Sequence, residues 1–261
     1  MRKSENDPYV RLARSEDARA INQIYRLVQI EPERFLELSR LTGEQAERSA
    51  MLRSVGGFIS PPDKRDLNIT LKHGLVLVYV QDEKLLGYYR FVTRPDKVFK
   101  ELCAEFLVAP SDDRFEIDSF QDWSGNRKKM SGKTLKKVHW TNREQAALAF
   151  NTVRTSLDDT NSARVAWAVD AAVHPERRST GISRALVKRM HSEFSPTIRF
   201  SIFRIFEICK INDVDFNIEN QRSTHTFVNS ASHQFAYTEE IITLNRDVTL
   251  RVRWNYWLKH Y

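Results

Sequence analysis

The chain has 261 residues, of which 41% are hydrophobic and 29% are charged. This composition is typical of globular proteins and excludes a wholly disordered chain. No apolar run approaches the ~20 residues that cross a bilayer, and the opening stretch lacks the apolar segment of a secretory signal. The composition therefore predicts a cytoplasmic globular protein without a membrane partner.

The balance of charged residues is basic, with a net charge of +7 and a pI near 9.4. A basic protein favours anionic partners such as nucleotides, nucleic acid, anionic lipid or an acidic carrier protein. The chain has two cysteines, Cys103 and Cys209, whose spacing matches neither a disulfide framework nor a zinc site. We therefore expect a reducing compartment and no bound metal.

In the first part of the chain, the hydrophobic pattern changes from helical spacing to the pattern of a β-hairpin. Gly87, inside the second strand of that hairpin, indicates a bulge or a close backbone approach. The pattern predicts a strand at 9–13, helices at 16–28, 32–41 and 44–55, and hairpin strands at 75–80 and 85–93.

Residues 95–160 have a looser pattern, with helices predicted at 96–107 and 142–155. A segment of this length buries little core by itself, and its many apolar residues need a partner surface. Six of its cations could neutralise the phosphates of a nucleic acid, although a solvated loop is the interpretation that we favour. These cations are Arg127, Lys128, Lys129, Lys133, Lys136 and Lys137.

The last part of the chain begins with an apolar strand at 163–173 and a helix at 181–194. Residues 197–210 fit neither the helical nor the strand period, so both remain open for that segment. The pattern continues with a strand at 214–218, a helix from Ser223 and hairpin strands at 237–244 and 248–257.

The strand that ends at Val173 is followed by a polar turn and by a helix that begins at Gly181. The first turn of a helix has unpaired backbone N–H groups and the positive end of the helix dipole, which together attract anions. A glycine there lets a phosphate approach the backbone, and Arg177 and Arg178 add positive charge. The segment therefore predicts a phosphate cradle, although an ordinary strand–helix connection has the same spacing. It lacks the Gly-Lys-Ser/Thr sequence that ends a Walker loop and the three glycines of a dinucleotide fingerprint, so neither of these phosphate sites is predicted.

Seven positions around this turn resemble the acyl-CoA motif of the GNAT superfamily of N-acetyltransferases, whose signature is Arg/Gln-x-x-Gly-x-Gly/Ala. The chain departs from the motif at two positions: Ser179 stands where glycine is common, and Ser183 stands where glycine or alanine is usual. The positions that carry the resemblance are Val173, Pro175, Glu176, Arg178, Gly181, Ile182 and Leu186.

The resemblance implies an α/β fold with a central mixed sheet flanked by helices. It covers roughly 9–93 and 163–257, which leaves 95–160 as an insertion between the third and fourth core strands of a single domain, 1–261. We expect this insertion to cover the acceptor side of the cleft. The resemblance also implies that 214–218 is the fifth strand of the family.

The resemblance further implies which residues bind acetyl-CoA or a longer acyl-CoA. Backbone N–H groups of the turn hold the pyrophosphate, the end of the preceding strand lines the pantetheine arm, and a helix after the fifth strand contributes the remaining residues. The residues of the turn are Arg178, Ser179, Thr180, Gly181, Ile182 and Ser183. The residues at the end of the strand are Ala171, Ala172 and Val173, and those of the later helix are Asn220, Ser223 and Phe227.

The reaction that the resemblance implies is direct attack of an amine on the thioester. Such a reaction needs a base for the ammonium proton and an acid for the leaving thiolate. The candidate bases are Asp170, His174 and His225. The family often has a tyrosine acid at the position of Phe227, which cannot donate a proton, so Tyr237 is the candidate acid.

Alternation along the strand at 163–173 places Trp167 on the same face as Val173, and Asp170 on the opposite face. Trp167 then either lines the substrate cleft or packs in the core, which is the commoner use of a strand tryptophan. An unpaired carboxylate inside an apolar strand is costly. We therefore expect Asp170 to be capped or ion-paired, with a structural role rather than a catalytic one.

The leading hypothesis is an N-acyltransferase that moves an acetyl or longer acyl group from acyl-CoA to an amine of a small molecule or peptide. Two alternatives keep the same fold: a transferase whose donor is an acyl carrier protein, and a GNAT-like protein that binds acyl-CoA without turnover. The fourth hypothesis is nucleic-acid binding through the cations of 125–137, a partner that we do not expect. We expect no metal cofactor.

Overall fold

The computed structural model describes residues 8–29, 67, 70–72, 74–106, 138–158, 165–194, 197–219 and 231–261. The helices predicted at 32–41, at 44–55 and from Ser223, and the basic segment 125–137, lie outside the described residues. The strands are β1 (Tyr9–Leu12), β2 (Gly74–Gln81), β3 (Lys84–Val92), β4 (Val138–Trp140), β5 (Val165–Val173), β6 (Phe200–Ile211), β7 (Val214–Glu219), β8 (Ser232–Thr243) and β9 (Thr249–His260). The helices are α1 (Ala18–Leu27), α2 (Pro95–Phe106), α3 (Arg143–Asp158) and α4 (Ile182–Phe194).

The strands form one nine-stranded sheet in the order β1-β2-β3-β5-β6-β9-β8-β4, and β7 pairs with β6. The pair β5–β6 is parallel, whereas the other pairs are antiparallel. Helices pack on both faces of this sheet, which confirms the predicted α/β fold with a central mixed sheet. The two predicted hairpins are the pairs β2–β3 and β8–β9.

Gly87 allows helix α4 to lie close to the sheet. A Cβ atom at this position would be 2.8 Å from Cγ2 of Ile182 and 3.2 Å from the carbonyl oxygen of Ala172. The register of β2 and β3 also shifts here, because Tyr79 pairs with Gly87 and the pairing then skips Leu86. The predicted bulge and the predicted close approach therefore occur side by side.

The two faces of the sheet hold separate cores at β1–β3. On one face, Ile21 and Ile24 of α1 pack with Tyr88 of β3. On the other face, Leu186 of α4 packs with Phe91 of β3. Tyr88 and Phe91 are an odd number of positions apart, so their side chains point to opposite faces, as expected for a strand that is covered on both sides.

Both ends of the segment 95–160 pack against the sheet. Helices α2 and α3 share one core with Trp167 of β5 and Tyr256 of β9, on the face that also carries α1. Strand β4 pairs with β8 at the edge of the sheet. The apolar residues of these helices thus have a partner surface, while the single domain 1–261 with its insertion stays a prediction.

Residues 197–210, for which the sequence pattern left helix and strand open, include most of the long strand β6. Its residues are buried on both faces, so its hydrophobic pattern has no clean period.

β6 is the strand that runs parallel to β5. The expectation that 214–218 is the fifth strand is therefore wrong, because a turn at Asn212 and Asp213 folds this segment back as β7, antiparallel to β6.

We predict that Phe106→Ala lowers the free energy of unfolding by about 3–5 kcal/mol. Phe106 is 1% exposed and contacts aromatic rings of α3, β4, β8 and β9, so its truncation leaves a cavity between α2 and the sheet. Denaturant titration measures the loss. The control is Ile241→Ala, at a residue that is 67% exposed, with an expected change below about 0.5 kcal/mol. Two separate unfolding transitions in the wild type would contradict a single domain.

Candidate functional site

β5 and β6 are paired over a short stretch and then separate. Their parallel pairing covers 165–167 of β5 and 200–202 of β6, although β5 continues to Val173 and β6 to Ile211. The other edge of β5 stays paired with β3 as far as Val173. In the described part of the chain no strand pairs with the edge of 168–173 that is turned toward β6, which leaves an opening in the hydrogen-bond ladder between β5 and β6.

A β-bulge marks the point where the two strands separate. Arg90 of β3 pairs with Asp170, and its neighbour Phe91 pairs with Ala168, so Val169 is an extra residue in β5. A bulge bends its strand and increases the local twist. This one follows the last residues of β5 that pair with β6, and it therefore accounts for the start of the opening.

The bulge overturns the expected placement of Trp167 beside Val173. The extra residue shifts the alternation of β5 by one, so Trp167 packs in the core with α2 and α3 while Val173 packs against the α4 core. Trp167 is 5% exposed and is a core residue. Ala171 also faces α4, whereas the side chain of Ala172 lies in the α1 core.

Asp170 forms an ion pair with Arg90 inside the protein. Nε of Arg90 donates to Oδ1 of Asp170 at 2.7 Å, and Nη2 donates to Oδ2; the two side chains are 6% and 9% exposed. Desolvation lowers the pKa of Arg90, but the hydrogen bonds and charge of Asp170 outweigh it, so the pKa lies above its ordinary value. A carboxylate held by a two-pronged guanidinium contact is well suited to the expected structural role and poorly suited to that of a general base.

Two buried polar atoms of β3 beside this ion pair have no hydrogen-bond partner among the described residues: Nη1 of Arg90 and the hydroxyl of Tyr88. Burial, and after it the charge of Asp170, raises the pKa of Tyr88, which therefore stays a neutral hydroxyl. Neither Arg90 nor Tyr88 is among the residues predicted from the sequence. The signal that could have found Arg90 is an arginine within an apolar strand, because buried charges occur in pairs.

The turn after β5 is held by hydrogen bonds at both of its ends. The backbone N–H of His174 donates to the carbonyl of Leu86 at 2.8 Å, which ties the end of β5 to β3. A 3-10 turn at Pro175–Arg177 follows, and the hydroxyl of Thr180 donates to the carbonyl of Arg177 at 2.7 Å. The path from β5 to the start of α4 is therefore fixed.

Two residues of this turn have left-handed backbone conformations. Ser179 has a φ of 66° and Gly181 has a φ of 89°, in the region that favours glycine. The conformation of Ser179 gives a physical reason why glycine is common at this position of the GNAT motif. A Cβ atom added to Gly181 would have no atom of the described residues within 4 Å, so these residues leave the space beside Gly181 open.

Helix α4 begins at Ile182, and the N–H of Ala185 donates to the carbonyl of Gly181 at 3.0 Å. The first N–H groups of an α-helix have no carbonyl partner within it, and the helix dipole adds positive charge there. The structure thus brings the residues predicted to bind pyrophosphate, 178–183, to an open helix start that suits an anion.

Tyr237, the candidate acid, lies away from these residues. Tyr237 is on β8, with β6 and β9 between it and β5. Its ring stacks on that of His139 with centroids 4.5 Å apart, and the guanidinium of Arg253 lies 4.7 Å from its centroid. Tyr237 and Asp170 therefore do not form an acid–base pair in contact. The remaining predicted residues, Asn220, Ser223, His225 and Phe227, lie outside the described residues.

In the described ranges of the chain, no group of three or more His, Cys, Asp and Glu side chains is placed to hold a metal ion. Over the same ranges, no helix is both long enough and apolar enough to cross a membrane. Cys103 and Cys209 are buried free thiols, and burial raises the pKa of Cys103 to about 11.

No protein-family model matches the chain, and no curated protein sequence matches it. Solved structures of N-acetyltransferases are similar to it over nearly its whole length. Ribosomal-protein-S18-alanine N-acetyltransferase from Escherichia coli is 9% identical, with 97% of this chain and 94% of that chain covered and a TM-score of 0.46. Arabidopsis thaliana NAA60 in complex with acetyl-CoA is 10% identical, with 95% and 98% covered and a TM-score of 0.44. An N-acetyltransferase from Staphylococcus aureus Mu50 is 11% identical, with 96% and 97% covered and a TM-score of 0.42.

The central mixed sheet with helices on both faces, and the strand–turn–helix segment that carries the motif, are the features that the GNAT resemblance implies. This architecture is consistent with the GNAT fold. Within it, the unpaired edge of β5 and the start of α4 adjoin one another, because the turn after Val173 connects them directly.

We predict that breaking the Arg90–Asp170 pair lowers the free energy of unfolding more than removing both charges does. Arg90→Met or Asp170→Leu alone leaves one buried charge without its partner, and each should lower the free energy of unfolding by about 3–5 kcal/mol. The double variant has two apolar side chains and should recover most of that loss. Denaturant titration of all three variants measures the cycle; purely additive losses would show that the two side chains do not act as a pair.

Proposed function

We propose that the protein is an N-acyltransferase that takes acetyl-CoA or a longer acyl-CoA as donor and an amine of a small molecule or peptide as acceptor. The observation that carries this proposal is the continuity between an anion-binding helix start and an opening in the sheet. The edge of β5 leads from the turn before α4 to the bulge at Val169. A ligand held by its phosphates at one end can therefore extend along the strand toward the other.

The residues before α4 fit a pyrophosphate. Gly181 leaves open space in front of the helix, and successive backbone N–H groups in a turn with left-handed residues form a concave anion site. Ser179 and Gly181 supply that conformation, and Arg177 and Arg178 add positive charge. Arg177, Ser179 and Gly181 are exposed, so a ligand can reach the turn from solvent.

The edge of β5 fits the amide-bearing arm of the donor. Backbone N–H and C=O groups along 168–173 point alternately to β3 and to the opening. Those that point to the opening can hydrogen-bond to an extended arm and hold its thioester near the bulge. A backbone N–H at that position would stabilise the oxyanion that forms when the amine attacks.

The proposed reaction forms an amide bond and breaks the thioester bond. The ammonium nitrogen loses two protons in becoming the amide, one to a base before the attack and one as the tetrahedral intermediate collapses, and the leaving thiolate gains one to become the thiol of CoA. Asp170, His225 and Tyr237 keep their catalytic roles as hypotheses only. Asp170 lies beside the bulge, but its carboxylate is held by Arg90. His174, on the turn before α4, has a buried Nδ1 without a hydrogen-bond partner among the described residues and remains a candidate base.

Binding and turnover separate this proposal from its alternatives. Calorimetry with acetyl-CoA and with acyl-CoAs of increasing chain length measures binding, and thiol release with a panel of small-molecule and peptide amines measures turnover. Binding with turnover supports the proposed enzyme. Binding without turnover on any amine indicates a GNAT-like binding protein, and turnover only with an acyl carrier protein selects that donor.

We predict that Gly181→Asp abolishes acetyl-CoA binding whereas Gly181→Asn weakens it only mildly. Asn and Asp have nearly the same shape and both tolerate left-handed backbone conformations, so the strain at this φ of 89° is matched. The carboxylate differs from the amide because it repels the pyrophosphate at the helix start. We expect at least about a tenfold difference in Kd between the two variants, or about 1.4 kcal/mol.

Calorimetry with acetyl-CoA measures the two affinities, and thermal unfolding shows whether both variants fold. Equal affinities in two folded variants would place the pyrophosphate away from Gly181.

A further inference from the structure

Two positively charged side chains lie on the exposed face of α4 without an ion-pair partner among the described residues. Arg184 and Lys188 are both exposed, and neither forms a salt bridge with these residues, whereas the neighbouring Arg189 pairs with Glu193 of the same helix. With three basic residues and one acid, α4 has a net charge of +2. The opposite face of α4 packs in the core through Ile182, Leu186, Met190 and Phe194.

These two cations, here called the basic stripe, continue the side of the helix on which Gly181 lies. With about 3.6 residues per turn, positions 181, 184 and 188 share one side of α4, and Gly181 is exposed as they are. At ~1.5 Å per residue, Arg184 and Lys188 lie about 5 Å and about 10 Å along the helix from Gly181. The Cα–Cβ bonds of an α-helix tilt toward its N-terminus, so both side chains leave the backbone in the direction of the turn before α4.

We propose that the basic stripe binds the 3′-phosphate of CoA and thereby makes the protein select a donor that carries this nucleotide. The inference rests on the proposed function, in which the pyrophosphate lies at the start of α4. In CoA the pyrophosphate and the 3′-phosphate are attached to the same ribose, at its 5′ and 3′ oxygens, so the second group cannot lie far from the first. The stripe begins within one helical turn of Gly181, on the side of the helix that faces solvent.

The charges of the basic stripe match those of a phosphate monoester. Such a group carries a charge of about −1.5 to −2 near pH 7, and the stripe supplies one guanidinium and one ammonium. A guanidinium can donate two N–H groups to a phosphate, and an ammonium attracts it as a point charge. The proposed pyrophosphate site already has the backbone N–H groups of the turn and the cations Arg177 and Arg178, which leaves the stripe for a second anionic group. The phosphopantetheine of an acyl carrier protein has no 3′-phosphate, so this recognition would favour CoA over that donor.

The test measures how well the protein discriminates CoA from dephospho-CoA, which lacks only the 3′-phosphate. By calorimetry at low ionic strength we expect the wild type to bind CoA about tenfold more tightly, as for an exposed phosphate that meets two cations. The double variant Arg184→Gln/Lys188→Gln should lose most of this preference, because its affinity for CoA falls while its affinity for dephospho-CoA changes little. Arg189→Gln is the matched control and should keep the preference, since it removes a cation of the same helix that is already paired with Glu193.

Equal wild-type affinities for CoA and dephospho-CoA would overturn this inference and leave the proposed function intact, and so would a double variant that keeps the wild-type preference. Wild-type protein that binds neither probe would instead overturn the proposed function, and this inference with it. Salt gives a second readout on the wild type alone, because exposed charges are screened within about 8–10 Å at physiological ionic strength. The preference for CoA should shrink as salt is added, and a preference that does not depend on salt would contradict recognition by the basic stripe.

Discussion

The β-bulge at Val169 is the constraint on which both the sheet and the candidate site depend. Before it β5 pairs with β3 and with β6, and after it β5 pairs with β3 alone among the described strands. Because buried backbone N–H and C=O groups need partners, a regular strand in this place would continue its ladder with β6. The bulge turns β5 out of that ladder and leaves one edge of 168–173 available to something other than a strand of the sheet.

The Arg90–Asp170 ion pair fixes the register at this bulge. A slip of β5 by one residue would turn Asp170 from the α1 face to the α4 face, where the described core residues are apolar and would leave its carboxylate unpaired. A buried ion pair contributes little net stability compared with apolar packing. We therefore expect the pair to act mainly on register, because it forms only when Asp170 lies opposite Arg90, which also fixes the position of the bulge.

Most of the described strands and helices could be predicted from the sequence, but the way in which they pair and pack could not. The strands and helices around the turn before α4 follow from hydrophobic periodicity and from two glycines: Gly87, which permits a close approach, and Gly181, which has a left-handed conformation. The placement of Trp167 failed because a bulge inverts alternation without changing the hydrophobic pattern of its strand. The fifth strand was assigned to 214–218 because β6 is buried on both faces and shows no period. The partner of Asp170 lies 80 positions away along the chain, a distance that no local pattern spans.

Gly87 couples the packing of the sheet to the geometry of the site. Helix α4 approaches β3 so closely that the methyl group of Ile182 occupies the space where a Cβ on residue 87 would lie. Ile182 is the first residue of α4 and directly follows Gly181, so anything that pushes the helix outward also moves the N–H groups of the turn before α4. The edge of β5, held by β3 up to Val173, would not move with it. The absence of one side chain on β3 therefore helps to set the distance between this turn and the edge of β5.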